Sequence, residues 1–270
     1  MTSAAVDHGT LAARSRRWGA WQVAERRFRS QVPFLHTYLL TALGNPLIYL
    51  VAMGIGLGSL VRGEVAGVPY LVFVAPGLVV STIGAAGAGW GMWAILAGFK
   101  WEKYYLAASA TSVAPSQVAE GETLAVGLML LGQSVAFWAI GVPFGAWRGP
   151  GSLLIIPIAT LVGLAFLTPI MAFSATVDDE GTRFNVLQRL VVMPMFLFAG
   201  TFFPLESMPV YLRWIGWCSP MWHGTQLARV AGFGLPYPVA GVLGHLAFLL
   251  ACAVGGLAVA RRNFHVRLTR

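Results

Sequence analysis

Long apolar runs separated by short polar stretches dominate this chain, and the runs have the length that a bilayer dictates. About 20 predominantly apolar residues cross the hydrocarbon core as a helix. Six runs meet that measure: Phe34–Leu60, Tyr70–Leu96, Val118–Val142, Leu153–Val177, Val186–Phe203 and Val239–Ala260. Backbone groups in lipid must satisfy one another, which leaves helices or a closed barrel. The runs are continuous rather than alternating, which argues against barrel strands. The pattern predicts an all-α integral membrane protein of six transmembrane helices. It forms one transmembrane domain over residues 1–270, with an interfacial segment 1–33, a membrane region 34–260 and a tail 261–270.

The polar stretches fix the expected orientation. With the N-terminus inside, the inner side holds 14 basic residues and the outer side keeps only Arg62, Arg148, Arg213 and Arg229. By the positive-inside rule both termini face the cytoplasm. The first apolar run starts some thirty residues in and is longer than the 7–15-residue core of a signal peptide, so cleavage is not expected. Between Leu11 and Val32, Trp18, Trp21, Val23, Phe28 and Val32 interleave with six arginines. That mixture suits a helix lying in the inner interface, its rings among the headgroups and its arginines on anionic lipid. A disordered basic tail is the alternative.

Composition changes this picture little. Residues are 57% hydrophobic and 10% charged, with a mean hydropathy of +0.71, where a soluble domain carries about 25% charged residues. The net charge of +8 sits beside the apolar runs, so it reads as membrane orientation rather than a nucleic-acid surface. Cys218 lies in a loop and Cys252 mid-run, a poor pair for a disulfide or a metal. Small residues four apart, Gly54 and Gly58, Gly84 and Ala88, Gly87 and Gly91, permit close helix approach.

The chemistry that is missing narrows the function. Neither lysine, Lys100 or Lys103, follows a glycine and precedes a hydroxyl, so no phosphate-cradling P-loop is present. The histidines are scattered, with no H-E-x-x-H, and no metal site is expected from them. Asp178, Asp179 and Glu180 form an acidic cluster that a metal-dependent, lipid-modifying enzyme would use, but a solvated turn between helices is the better account. Carboxylates are nearly absent from the spans, the nearest being Glu120 and Glu122. An ion-coupled carrier needs more. Uphill transport would draw its energy from a partner.

Two connecting segments stand out. In the inner one, Trp101, Tyr104, Tyr105 and Ala108 share one face of a helix, with Lys100, Glu102 and Lys103 around the rest. Pro115 starts the next helix after a break at Val113–Ala114. Such a helix fits a groove on a soluble subunit; simple anchoring of the rings in the interface is the alternative. The outer segment, Phe202 to His223, is too apolar for a free loop and too rich in proline for a span. It predicts two short helices dipping into the outer leaflet, with Tyr211, Trp214, Trp217 and Trp222 at the interface.

From Gln188 to Arg229 the sequence resembles the ABC-2 type permease family. The resemblance rests on the run Pro194 to Glu206, which contains Gly200, Phe203 and Pro204, then on Pro209, Pro220 and the terminal Arg229. A second likeness lies at Ser112–Pro115 and Gly121–Glu122. The nodulation-factor and daunorubicin exporter branch is the nearest in pattern, with Ala114 where a polar residue or Thr is common. The resemblance implies a bacterial plasma-membrane exporter subunit for a lipidic, glycan-linked or hydrophobic drug substrate. Two permease halves, identical or homologous, would pair, each docked on one of two ABC ATPase subunits that hold ATP and Mg, with no cofactor on this chain itself. It assigns ATPase coupling to Lys100, Trp101, Glu102, Lys103, Tyr104, Tyr105 and Ala108. Glu120 and Glu122 would act as a relay to the N-terminal arginines or the third span.

Overall fold

A computed structural model describes residues 8–34, 36–37, 40, 44, 47–61, 63–179 and 181–269. The described residues are helical apart from connecting turns and one isolated bridge, Val65 to Val68. Helix α1 is His8–Gln31 and α2 is Leu47–Ser59. Long helix α3 is Tyr70–Lys100, short α4 is Tyr104–Ser109, and α5 is Pro115–Gly141. Next come α6, Pro150–Ser174, and α7, residues 182–198. Short α8, Val210–Trp217, and α9, Pro220–Phe233, precede α10, Val239–Leu268.

Four of these, α3, α5, α6 and α10, are long and apolar enough to cross a membrane. They match the second, third, fourth and sixth predicted spans, with α10 running on through the basic stretch to Leu268. Of the first predicted span, Leu47–Ser59 is helical, and residues 35, 38, 39, 41–43, 45 and 46 lie outside the described residues, as do Arg62, Glu180 and Arg270. The fifth predicted span is shifted toward the N-terminus, to residues 182–198, and is not a regular helix. Helix α7 is interrupted by a π-turn at Gln188–Val192 and ends at Phe198, where Gly200 turns the chain with φ +73°.

Helix α3 sits at the centre: 83% of its apolar stretch is buried, against 11% for α10. Its crossing with α6 depends on missing side chains. A Cβ on Gly87 would collide with the backbone of Gly163, and one on Gly91 would stand 2.9 Å from the Leu167 carbonyl. Without those atoms the backbones meet directly, which is how helices associate where lipid removes the hydrophobic drive. Ser174 Oγ donates to the Gly91 carbonyl at 2.7 Å and Thr168 Oγ1 to that of Ala253 at 2.8 Å, tying α6 to α3 and to α10.

Two short helices do follow α7, as the outer proline-rich segment predicts. The second starts deep. Met221, in its first turn, packs by Gly84 in mid-α3, while Gly232 in its last turn lies by Pro76 and Ile155, near the Tyr70 end of α3 and the Pro150 end of α6. Helix α9 thus begins at mid-length of its neighbours and runs back toward those ends.

Candidate functional site

At the end of the bundle holding α1 and α4, a charged cluster is built in an apolar setting. Helix α1 lies against the start of α5, where Gly121 leaves room for Val23 and the Ala20 carbonyl. Val23, Ala24 and Arg27 are buried, while Trp18 and Trp21 remain exposed. Of the segment expected at the interface, His8–Gln31 is helical, and Val23 is buried against protein. Arg27 Nε donates to Glu122 Oε2 at 2.8 Å, with both side chains at 4% exposure or less. Arg27 Nη2 donates to the Tyr104 hydroxyl at 2.9 Å, and the Arg26 guanidinium lies 3.5 Å over the Tyr104 ring. Burial works against the Arg27 charge, but the neighbouring Glu122 carboxylate prevails and holds the guanidinium above its ordinary range. Burial also pushes the Tyr105 phenol up. Helix α1 is thereby joined by one arginine to α4 and α5, more than 70 residues further along the chain.

The connecting segment is shaped by a reversal, not by a continuous helix. Helix α3 ends at Lys100, Glu102 N–H reaches back to the Ala97 carbonyl at 2.8 Å, and Lys103 takes a left-handed φ of +52°. The chain then doubles back as α4, and its tyrosines pack over Gly98, where a Cβ would strike the Tyr105 ring. The single face expected for Trp101, Tyr104, Tyr105 and Ala108 is consequently not formed. Tyr104 and Tyr105 are buried among Phe99 and Phe264, with Tyr105 4.7 Å from Phe99 and 5.4 Å from Phe264. Trp101, Glu102, Lys103 and Leu106 are exposed, and Lys100 and Ala108 are half-buried. Pro115 opens α5 as expected, with Ala114 extended at its N-cap and donating its N–H to Gln117 Oε1 at 3.0 Å. Glu120 pairs with Arg261 of α10 at 2.9 Å, so the two acids serve opposite neighbours. A cavity of about 450 Å³ opens beside Arg27, walled by Trp90, Trp93 and Glu102. Its wall includes a π-turn of α3, Trp90–Ala94, a distortion that recurs at functional positions.

At the opposite end, the motif residues converge on Arg229. Its side chain is 2% exposed, donates to the carbonyls of Phe73, Gly200 and Thr201 at 3.3, 2.8 and 3.1 Å, and lies 3.8 Å over the Phe73 ring. Thr201 Oγ1 meets Ser81 Oγ at 2.6 Å, and Tyr70 donates to the Phe202 carbonyl at 3.1 Å. The broken end of α7 is thus laid along α3 and satisfied there. Pro204, Pro209 and Pro220 each stand at a helix start, Pro220 behind a Ser219 cap that accepts from Met221 N–H at 3.2 Å. Phe203 is exposed, as are Tyr211, Trp214 and Trp217.

Asp178 and Asp179 of the acidic cluster turn to different partners. Asp178 pairs with Arg267 at 3.3 Å and Asp179 with Arg183 at 3.0 Å, and Asp179 Oδ1 also accepts from the Gly181 N–H. Among the described residues no three His, Cys, Asp or Glu gather in a metal-binding group. The enzymatic alternative therefore finds no support. Sequence spacing gave no signal for two further groups. Arg267 donates to the carbonyls of Ser174, at the end of α6, and of Ala175 and Val177 just beyond it, and lies 4.2 Å over Phe99. His223 and His245 meet across α9 and α10.

Comparison with known proteins adds a lineage. The pattern of the family described as ABC-2 type transporter matches residues 21–233, from within α1 to the end of α9. The chain is similar to Nodulation protein J of Rhizobium leguminosarum bv. viciae, 28% identical over 234 residues, covering 86% of this chain and 88% of that protein. It is 29% identical over 213 residues to Nodulation protein J of Rhizobium leguminosarum bv. trifolii, covering 78% and 79%. It is 26% identical over 196 residues to that of Bradyrhizobium diazoefficiens, covering 71% and 72%. No solved structure matches the chain.

Proposed function

The chain belongs to the ABC-2 type transporter family and is the membrane permease component of an ABC-type exporter; from that premise we propose how it takes up the work of a separate ATPase. Helix α4 and the turn before it form the coupling element. Trp101, Glu102, Lys103 and Leu106 are its outward face, docked in a groove of the ATPase subunit. Tyr104 and Tyr105 are its inward face, passing displacement to the bundle. Arg27 and Glu122 join that element to α1 and α5, so that closure of the ATPase pair moves several helices together.

The rest of the assembly follows the family plan. Residues 1–270 act as one transmembrane domain with six crossings. Two permease halves, identical or homologous, pair in the bacterial plasma membrane on two ATPase subunits, which hold the ATP and Mg. Both termini face the cytoplasm, supported by the 14-to-4 division of basic residues. Helices α8 and α9 re-enter the outer leaflet, supported by the deep start of α9 at Met221. The cargo is lipidic, glycan-linked or a hydrophobic drug, supported by the apolar spans.

The observation that carries the coupling assignment is the single arginine linking Tyr104 of α4 with Glu122 of α5. Its test is reconstitution of the permease with its ATPase in vesicles. Trp101→Ala with Leu106→Ala is expected to weaken association by about tenfold or more, as loss of interface anchors does. Glu122→Gln is expected to leave association intact while permease-stimulated ATP hydrolysis and export fall together. Full stimulation and export in Glu122→Gln would remove the relay from this account.

A further inference from the structure

The geometry points to a transition-metal site at the outer end of the bundle, made by His223 of α9 and His245 of α10. Their Nδ1 atoms face each other at 2.7 Å. The Nε2 atom of His223 lies 3.0 Å from the Trp217 carbonyl, and that of His245 lies 2.9 Å from the Tyr237 hydroxyl.

A carbonyl only accepts, so Nε2 of His223 carries the proton and its Nδ1 is a bare lone pair when the ring is neutral. The facing Nδ1 of His245 must then donate, and its Nε2 accepts from Tyr237. One proton therefore stands between two nitrogens where a cation would stand. Binding of a divalent ion needs only a tautomer change. The His245 proton moves from Nδ1 to Nε2, the Tyr237 hydroxyl turns to accept it, and no proton is lost. Both rings then present Nδ1 to the ion and donate Nε2–H to an oxygen, the outer arrangement that metal-ligating histidines nearly always show.

The space allows it. Nitrogens bound at about 2.0–2.1 Å in a tetrahedral site lie roughly 3.3 Å apart, so the rings must part by about 0.6 Å. His245 is buried at 5% exposure, but His223 is half-buried, leaving a side open for water to complete the coordination. The walls are aromatic: Phe248 stacks on His223 with centroids 3.9 Å apart, and Trp222 meets both rings edge-on at 4.9–5.0 Å. Imidazole pairs suit Zn²⁺, Ni²⁺ and, most tightly, Cu²⁺. The ion would act as an effector that pins α9 to α10, not as a participant in transport, and the site stands whether or not the coupling account above is right.

The test uses the full chain, purified without a polyhistidine tag and titrated with Cu²⁺ alone. The expected result is one ion per chain, an electron paramagnetic resonance signal split by two nitrogen donors, and quenching of the nearby tryptophans. His223→Gln and His245→Gln should each weaken binding by more than tenfold. Tyr237→Phe keeps both ligands but loses the oxygen that takes Nε2–H, and should weaken it by about tenfold. Should the glutamine variants fail to fold, the nitrogen count of the wild type and the Tyr237→Phe titration decide. Absence of binding at micromolar Cu²⁺ would overturn the assignment, as would binding lost in Cys218→Ser but kept in His245→Gln.

Discussion

The Arg27–Glu122 pair removes two charges from water together, and its energetics differ for one loss and for two. Removing one partner of a buried pair strands the other, at a cost of about 3–5 kcal/mol, whereas replacing both with apolar side chains is often neutral. Glu122→Ala should accordingly lower thermal stability in detergent sharply, and Arg27→Met with Glu122→Leu should restore most of it. Restored stability with export still absent would separate the pair's role in force transmission from its role in folding. Arg229 is a different case, a cation held by three carbonyls and a ring. Lysine keeps the charge but lacks the planar fork. Arg229→Lys should cost about 2 kcal/mol through a lost charge-assisted hydrogen bond, read as an earlier unfolding midpoint.

Among the elements, contact between α3 and α6 is set by what is missing from the backbone. Gly87→Ala pushes a methyl into the Gly163 main chain, and such overpacking costs about 1–3 kcal/mol. Gly132 on α5 has nothing within 4 Å of its would-be Cβ, and Gly132→Ala should leave the unfolding midpoint unchanged. A matched pair of melts checks the contrast; equal shifts would mean that the crossing does not depend on close approach. The small-residue spacing of Gly84, Gly87 and Gly91 was visible in the sequence, but its partner, Gly163, was not. The reversal at Lys103 was also hidden, because the local pattern of aromatic residues fits a helix well. What breaks that helix is the docking of Tyr104 and Tyr105 over Gly98, a contact between segments rather than a local preference.

At the level of the whole molecule, the arrangement predicts sidedness that native cysteines report. Cys218 is exposed between α8 and α9, while Cys252 is partly buried in α10. A membrane-impermeant maleimide added to right-side-out vesicles should label Cys218 alone; labelling only in inverted vesicles would reverse the topology. The sequence by itself determined the helical membrane class, the position of four long spans, the start of α5 at Pro115 and the short helices after α7. Each depends on a count along the chain, of apolar residues against bilayer thickness or of prolines against helix geometry. Only the tertiary structure decided which N-terminal arginine meets which acid, Arg27 with Glu122 across 95 positions, and that Arg229 reaches Phe73 across 156. It also decided that the two tyrosines turn inward and that two histidines meet Nδ1 to Nδ1. In a chain this apolar the few polar groups must find partners or stay unsatisfied, and which partner each one finds depends on how the helices pack, which no spacing along the chain encodes.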